Sequence, residues 1–187
     1  QCPEGSTAED LLVAAKLDWE IKPAPMVAKL ENGWELDIPN RKAFIRSTDN
    51  KLMTIASDDW KPFQNRDSAK FVDAYCEAGK ASAECAGALR DGQVIWFLAN
   101  LGHSFEIRPG DKTQGYLAIT VPHVAGQAIK IRTTTVRIVC QNTMNLAERN
   151  SPTIYKQNHL SEFNVDAARA AIAAAHEDLS FQEKKLK

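Results

Sequence analysis

Apolar and polar residues alternate along three pairs of neighbouring segments, each joined by residues typical of tight turns. The turns fall at Asn32-Gly33, at Asp49-Asn50 and at Asp91-Gly92. Asn-Gly and Asp-Gly readily adopt the positive φ that a short hairpin connection requires. The pattern therefore predicts successive hairpins, in a mainly antiparallel curved sheet of about six to eight strands.

A different period, with apolar residues at three- and four-residue steps, marks the helices. Ser6 or Thr7 can cap a short first helix, and Asn65 can cap a second that ends at Gly79. Asn164 can cap a last helix from residue 165 to about residue 186, with an alanine-rich stripe. Hairpins flanked by helices predict an α+β fold with a C-terminal helix.

Length and composition fit one domain with a substantial core. The chain has 187 residues, of which 44% are apolar, and no apolar run reaches the ~18 residues that a membrane span needs. We predict an α+β domain over residues 1–150 and a C-terminal helical extension of the same domain over residues 151–187. Gln1 and the uncapped last helix predict that the native chain extends beyond both termini.

We expect the rest of the fold to be arranged around the stretch from residue 128 to residue 147. Ile129 and Ile131 alternate with Lys130 and Arg132, which predicts a strand with one buried and one solvated face. The apolar phase then changes at residues 133–135, predicting a bulge that returns the next apolar residues to the core. A second strand would follow, ending in a buried Cys140 and a helix capped from Gln141-Asn142-Thr143.

The segment VRIVCQNTMNLA resembles the signature of the phage/plasmid-like proteins, domain of unknown function nine hundred and thirty-two. Three further segments resemble the same family in the same order: LDWEI, SDDWKPFQNRDSAKFVDA and AGALRDGQVIWFLANL. The resemblance covers nearly the whole chain. It implies a setting on phages, plasmids and integrated elements, and it implies no particular activity.

Charge is uneven along the chain, although the net charge is only −1. Residues 1–60 carry seven basic and eleven acidic side chains, 7 − 11 = −4, whereas residues 108–149 carry six and two, 6 − 2 = +4. This asymmetry indicates either an anionic partner or two regions that neutralise each other in the fold.

The residues that would contact nucleic acid are cations, which neutralise phosphates, and amides, which bind sugar, phosphate or base edges. We expect Arg132 and Arg137 to point outward on the same side of the sheet, while Trp60 and Phe63 are candidate stacking platforms. The alternative is that the amides only cap the turn and the aromatic rings belong to the core. The predicted set is Lys130, Arg132, Arg137, Gln141, Asn142, Asn145, Arg149, Lys61 and Arg66.

The sequence supports a catalytic or metal site less well than it supports a nucleic-acid-binding site. The four histidines, His103, His123, His159 and His176, are scattered without ligand spacing, so we predict no metal and no cofactor. The four cysteines show no C-x-x-C spacing, which predicts reduced thiols. An enzyme with Cys140 as nucleophile and His123 as base is the third hypothesis, behind the two below.

We expect a non-enzymatic nucleic-acid-binding protein of phage or plasmid DNA metabolism. Its most concrete form is a homo-oligomeric single-stranded DNA binding or annealing protein, assembled through its helices. The alternative is a protein-interaction or assembly protein of a mobile element, for example an antagonist of host defence. The N-terminal residues lack the pattern of a signal peptide, so we predict the bacterial host cytoplasm and no membrane partner.

Overall fold

The computed structural model describes residues 5–79, 81–108 and 111–185, and it describes the side chains of these residues except at 103–113 and 176–185. The described chain contains four helices and eight strands. The helices are α1 (Ala8–Ala14), α2 (Asn65–Ala78), α3 (Gln141–Asn150) and α4 (Val165–Lys185). The strands are β1 (Ile21–Lys29), β2 (Glu35–Arg46), β3 (Leu52–Ser57), β4 (Ser82–Leu89), β5 (Val94–Arg108), β6 (Asp111–Pro122), β7 (Ile129–Thr134) and β8 (Thr153–Gln157).

The strands form two antiparallel sheets, in the orders β1-β2-β3 and β4-β5-β6-β7-β8. The α+β fold with a C-terminal helix is thus confirmed, as are all three hairpins. Two sheets replace the single curved sheet that we expected. Arg90, Asp91 and Gly92 all have positive φ in the third hairpin turn, as its sequence predicted.

The five-stranded sheet buries both of its faces. On one face, Phe97 of β5 and Leu117 of β6 join a large cluster that includes residues of α1, α2, α4 and the three-stranded sheet. On the other face, Leu98 and Ala118 join a smaller cluster, which Ile138 and the α3 residues Met144 and Ala147 complete. Neighbouring residues of one strand therefore serve different cores, as the two-residue period of a strand requires.

The stretch around β7 differs from the prediction in two ways. Ile129 and Ile131 are buried as expected, but on the face that carries Lys130 and Arg132, which lies beside α3, Arg132 is buried and Lys130 is half-buried. The predicted second strand is absent, because residues 136–140 form no strand and only Ile138 among them is fully buried. The chain instead reaches α3 directly and returns as β8, which the sequence pattern did not reveal.

The N-terminal caps of the helices agree with the prediction at α1 and α4 and differ from it at α2. Thr7 and Asp10 form a capping box at α1, and Asn164 caps α4 by accepting a hydrogen bond from the Ala167 amide at 2.9 Å. Asn65 was predicted as the cap of α2, but Gln64 holds that position. Asn65 lies buried inside the helix, where its side chain is used for a different purpose.

Asn65 connects α2 to His123, the first of two buried histidines. Its amide nitrogen donates to the carbonyl oxygens of Leu17 at 2.9 Å and Trp19 at 3.3 Å, so its carbonyl oxygen faces His123 Nε2 at 2.7 Å. A carbonyl only accepts, and His123 must therefore carry its proton on Nε2. Burial, and secondarily His159, lowers the pKa of His123 to about 3.

His159 is the second buried histidine, and it lies in the loop between β8 and α4. Its Nδ1 donates to the carbonyl oxygen of Lys61 at 2.9 Å, and its ring stacks on Trp60 with centroids 4.8 Å apart. Burial lowers its pKa as well. Both rings are buried components of the core, whereas Cys140, for which His123 was predicted as the general base, is exposed.

Candidate anion-binding groove

A groove with a cavity volume of about 400 Å³ lies between α3 and the edge of the five-stranded sheet. Its wall and floor come from β6, β7, β8, α3 and the hairpin turn after β4. Three of its lining residues are cations, Arg90, Lys130 and Lys156, and one is an acid, Glu148. The polar residues Thr120, Gln127 and Gln141 complete the lining together with apolar side chains. The groove therefore carries an excess of two positive charges over its described lining, 3 − 1 = +2.

Two lysines stand directly opposite each other across the last strand pair. Lys130 of β7 and Lys156 of β8 are register partners, so both side chains project from the same face of the sheet. Cβ atoms of such partners lie ~5 Å apart, and like charges at that spacing destabilise a sheet. The fold tolerates this repulsion at the groove wall, where an anion would relieve it.

Glu148 on α3 is the carboxylate that offsets these cations. Its Oε1 lies 3.3 Å from Lys130 Nζ and also 3.3 Å from a terminal nitrogen of Arg132. Arg132 is only 2% exposed, and its Nε has no hydrogen-bond partner within the described chain. Burial lowers the pKa of the Arg132 guanidinium, an effect that Glu148 opposes. One carboxylate oxygen thus serves two cations, which leaves both incompletely neutralised.

The predicted pairing of Arg132 with Arg137 is wrong. Arg132 points into the protein beneath α3, whereas the Arg137 side chain is 55% exposed and its Nε donates to Glu84 Oε1 at 2.6 Å. Glu84 raises the pKa of Arg137 through this hydrogen bond. The reason is that residues 135–140 are irregular, so the strand parity that would have aligned the two arginines does not apply.

The amide residues of α3 divide between the groove and the solvent. Gln141 lines the groove and donates through Nε2 to Asn145 Oδ1 at 2.8 Å, one helical turn later. Asn142, Asn145 and Arg149 are exposed on the same helix. Gln141 is therefore the one predicted amide that the structure brings to the cations of the groove lining.

The remaining predicted contacts lie outside the groove. Lys61 lines a separate cavity of about 370 Å³ beside α2 and α4, and Arg66 is exposed on α2. Trp60 is buried and packs edge-on against Phe44 with centroids 4.5 Å apart, and Phe63 stacks on Phe163 at 4.2 Å. These aromatic rings are core residues, so the alternative interpretation of them was the correct one.

Cys140 is exposed, contrary to the prediction of a buried thiol. It is the N-cap of α3, where Thr143 Oγ1 lies 3.6 Å from its sulfur. Hydrogen bonds from Thr143, and a weaker one from the Asn142 amide, lower the pKa of the thiol. Cys76, Cys85 and Cys140 are free thiols, and burial raises the pKa of Cys76 and of Cys85 to about 11. Cys2 lies outside the described residues.

The described part of the chain offers no group of three or more His, Cys, Asp or Glu side chains placed to hold a metal ion. His103 and His176 fall among the side chains outside the description. Across the same part of the chain, no helix is both long and apolar enough to span a membrane.

Arg90, Lys156 and Glu148 are groove residues that the sequence analysis missed. Lys156 lies in TIYKQ, a β-prone segment whose polar and apolar residues alternate too briefly to stand out. Arg90 was assigned only to a turn, and it reaches the groove because the third hairpin ends beside β6. Glu148 is one of the two acids of the basic region, and the sequence does not reveal that it pairs with Lys130 and Arg132.

Comparison with known proteins returns one finding. The profile of the family described as Domain of unknown function (DUF932) matches residues 53–186, which is more than half of the chain. The segments around Trp60, the third hairpin and α3 lie inside this match, whereas LDWEI precedes it. No curated protein and no solved structure matches the chain.

Proposed function

The chain belongs to the DUF932 family, and we propose that it is a non-enzymatic nucleic-acid-binding protein whose groove beside α3 holds backbone phosphates. The observation that carries the proposal is the cross-strand lysine pair, Lys130 and Lys156, which faces the groove with a single nearby carboxylate. Cations in excess of acids at the wall of a concave surface are the electrostatic requirement for a polyanion.

The size of the groove limits the contact to a short stretch of backbone. A cavity of about 400 Å³ holds one or two phosphates with their sugars, and three cations lie around it. Useful affinity for a long strand then requires several copies side by side, which supports an oligomeric binding or annealing protein of phage or plasmid DNA metabolism. With Trp60 and Phe63 in the core, single-strand preference rests on groove shape alone and stays a prediction.

The test measures binding of fluorescent single- and double-stranded oligonucleotides at two salt concentrations. Lys130→Ala with Lys156→Ala should weaken binding and lower the salt slope by about two, since each lost phosphate contact lowers it by about one. The matched control is Lys61→Ala with Arg66→Ala, which removes the same charge from residues outside the groove.

Equal losses in the two double variants would indicate diffuse electrostatics in place of a groove. An unmodified protein that binds neither oligonucleotide at low salt would overturn the proposal and favour the protein-interaction alternative. Tighter binding of the single strand than of the duplex would support the annealing form of the proposal.

A further inference from the structure

The outward face of the three-stranded sheet is mostly apolar. Strand register places Ala24, Ala43 and Ile55 in one row, and Ala28 opposite Leu36 in another. The turn continues this face, because the Leu30 amide donates to the Trp34 carbonyl oxygen at 2.8 Å and so sets these residues opposite each other. The face, hereafter the apolar sheet face, consists of Ala24, Met26, Ala28, Leu30, Trp34, Leu36, Ala43, Ile45, Leu52 and Ile55.

Half of this sheet projects beyond the body as a two-stranded arm. β3 pairs with residues 41–45 of β2, so residues 26–38 of the hairpin have no third strand. Asn40 has a φ of 58° after Pro39 and marks the irregular point where the arm begins. A hairpin of two strands is marginally stable in water unless its apolar face is covered.

The exposed apolar area is as large as the patches that often serve as binding surfaces. Trp34 is 74% exposed and Leu36 is 60% exposed, and Leu30, Leu52 and Ile55 are exposed on the same side. Together these residues present a patch on the order of 500 Å², above the ~400 Å² beyond which an apolar patch marks a binding surface. In the three strands, all of which the structure describes, Lys22 and Arg41 are the charged residues on this face.

We propose that the apolar sheet face is a homodimer interface, in which two copies of this chain pack their three-stranded sheets face to face. Two such patches would bury ~1,000 Å² of apolar surface, and homodimer interfaces are ~65% apolar. The total is then ~1,500 Å², within the ~1,200–2,000 Å² of stable specific interfaces. A sheet face with few charges can pack against another apolar sheet face, as in aligned sheet packing.

The proposal does not depend on the ligand of the groove. The groove and the apolar sheet face share no residue, so dimerisation can be measured in the absence of DNA. The proposed sheet interface differs from the sequence-based expectation that copies of the chain assemble through their helices.

Sedimentation velocity at micromolar concentrations tests the state of the intact chain. The unmodified protein should be a dimer, and Trp34→Ala or Leu36→Lys should weaken dimerisation at least ~30-fold, the loss typical of an interface hot spot. Val27→Lys is the matched control, because Val27 is 49% exposed on the opposite face of the same arm. Circular dichroism confirms that each variant is folded.

Tryptophan quenching by acrylamide gives a second readout. Trp19, Trp60 and Trp96 are buried, so quenching of the monomer reports on Trp34. Quenching should be weak at concentrations where the protein dimerises and should increase on dilution or in Leu36→Lys. A monomeric unmodified protein, a dimer that survives both face variants, or a dimer with Trp34 freely quenched would each overturn the proposal.

Discussion

The two faces of the five-stranded sheet are covered in different ways. One face packs against three helices and a second sheet, and there Asn65 and His123 are hydrogen-bonded to each other within the core. The other face is covered by α3 and by the irregular segment before it, which contributes Ile138, and there Arg132 and Lys130 share one oxygen of Glu148. The first face holds the fold together, whereas the second keeps cations in a partly neutralised state beside a groove.

Truncating one leucine on each face gives the largest expected effect. Leu117 and Leu98 are both fully buried, on neighbouring strands, but Leu117 faces the large cluster and Leu98 the small one. Leu→Ala in a core costs ~2–5 kcal/mol, and the cost rises with the cavity that remains. Leu117→Ala should fall in the upper half of this range and Leu98→Ala in the lower half, because the cluster around Leu98 is smaller and α3 can shift toward the cavity.

Urea unfolding of the two leucine variants measures the difference in the free energy of unfolding. A loss at Leu98 equal to that at Leu117 would show that the α3 face is as tightly packed as the other, and the contrast between the faces would fail.

Acid should destabilise the larger core specifically. The pKa of His123 is about 3 in the folded protein against 6.5 for an ordinary histidine, so the unfolded chain binds the proton first. The stabilisation is complete above pH 6.5 and is lost as the pH falls toward 3. At about 1.4 kcal/mol per pKa unit, the loss between pH 6.5 and 5 is about 2 kcal/mol.

His123→Gln is the control for this pH dependence, because glutamine does not titrate. The variant is expected to be less stable at pH 7 and to show a flatter decline of unfolding free energy with acid. His159 has a lowered pKa too and would retain part of the slope. An unchanged slope in His123→Gln would assign acid sensitivity to other groups.

Local chemistry and tertiary packing explain which features the sequence predicted. The hairpins at Asn32-Gly33 and Asp91-Gly92 were predictable because the turn residues themselves adopt the required φ. The burial of Arg132 was not, because alternation shows that two faces differ but does not show that α3 covers the second. Cys140 was misplaced for a related reason, since strand parity was extended through residues 136–140, which form no strand.

The groove was predictable in part, because some of its residues come from one continuous segment of the chain. Lys130 and Gln141 come from the two ends of the central stretch, so its basic and amide residues indicated them. Lys156 and Arg90 reach the groove only through strand pairing across 26 residues of sequence, 156 − 130 = 26, and through a distant hairpin. No pattern within one segment carries such information.

Substitutions of Arg132 and Arg137 have the smallest expected effects on stability, and they compare a buried cation with an exposed one. Arg137→Ala removes an exposed ion pair with Glu84 and should cost less than ~1 kcal/mol, a loss that salt reduces. Arg132→Ala should cost ~1–3 kcal/mol, because it removes buried contacts and leaves Glu148 with Lys130 alone. Arg132→Met restores the buried volume without the charge and should recover most of that loss, since an apolar residue of similar size replaces a buried ion pair at little cost.

Thermal unfolding of the three variants at low and high salt measures these differences. If Arg132→Met were as unstable as Arg132→Ala, the guanidinium charge itself would stabilise the α3 face, and that face would be a structural ion-pair site with no need of an anion.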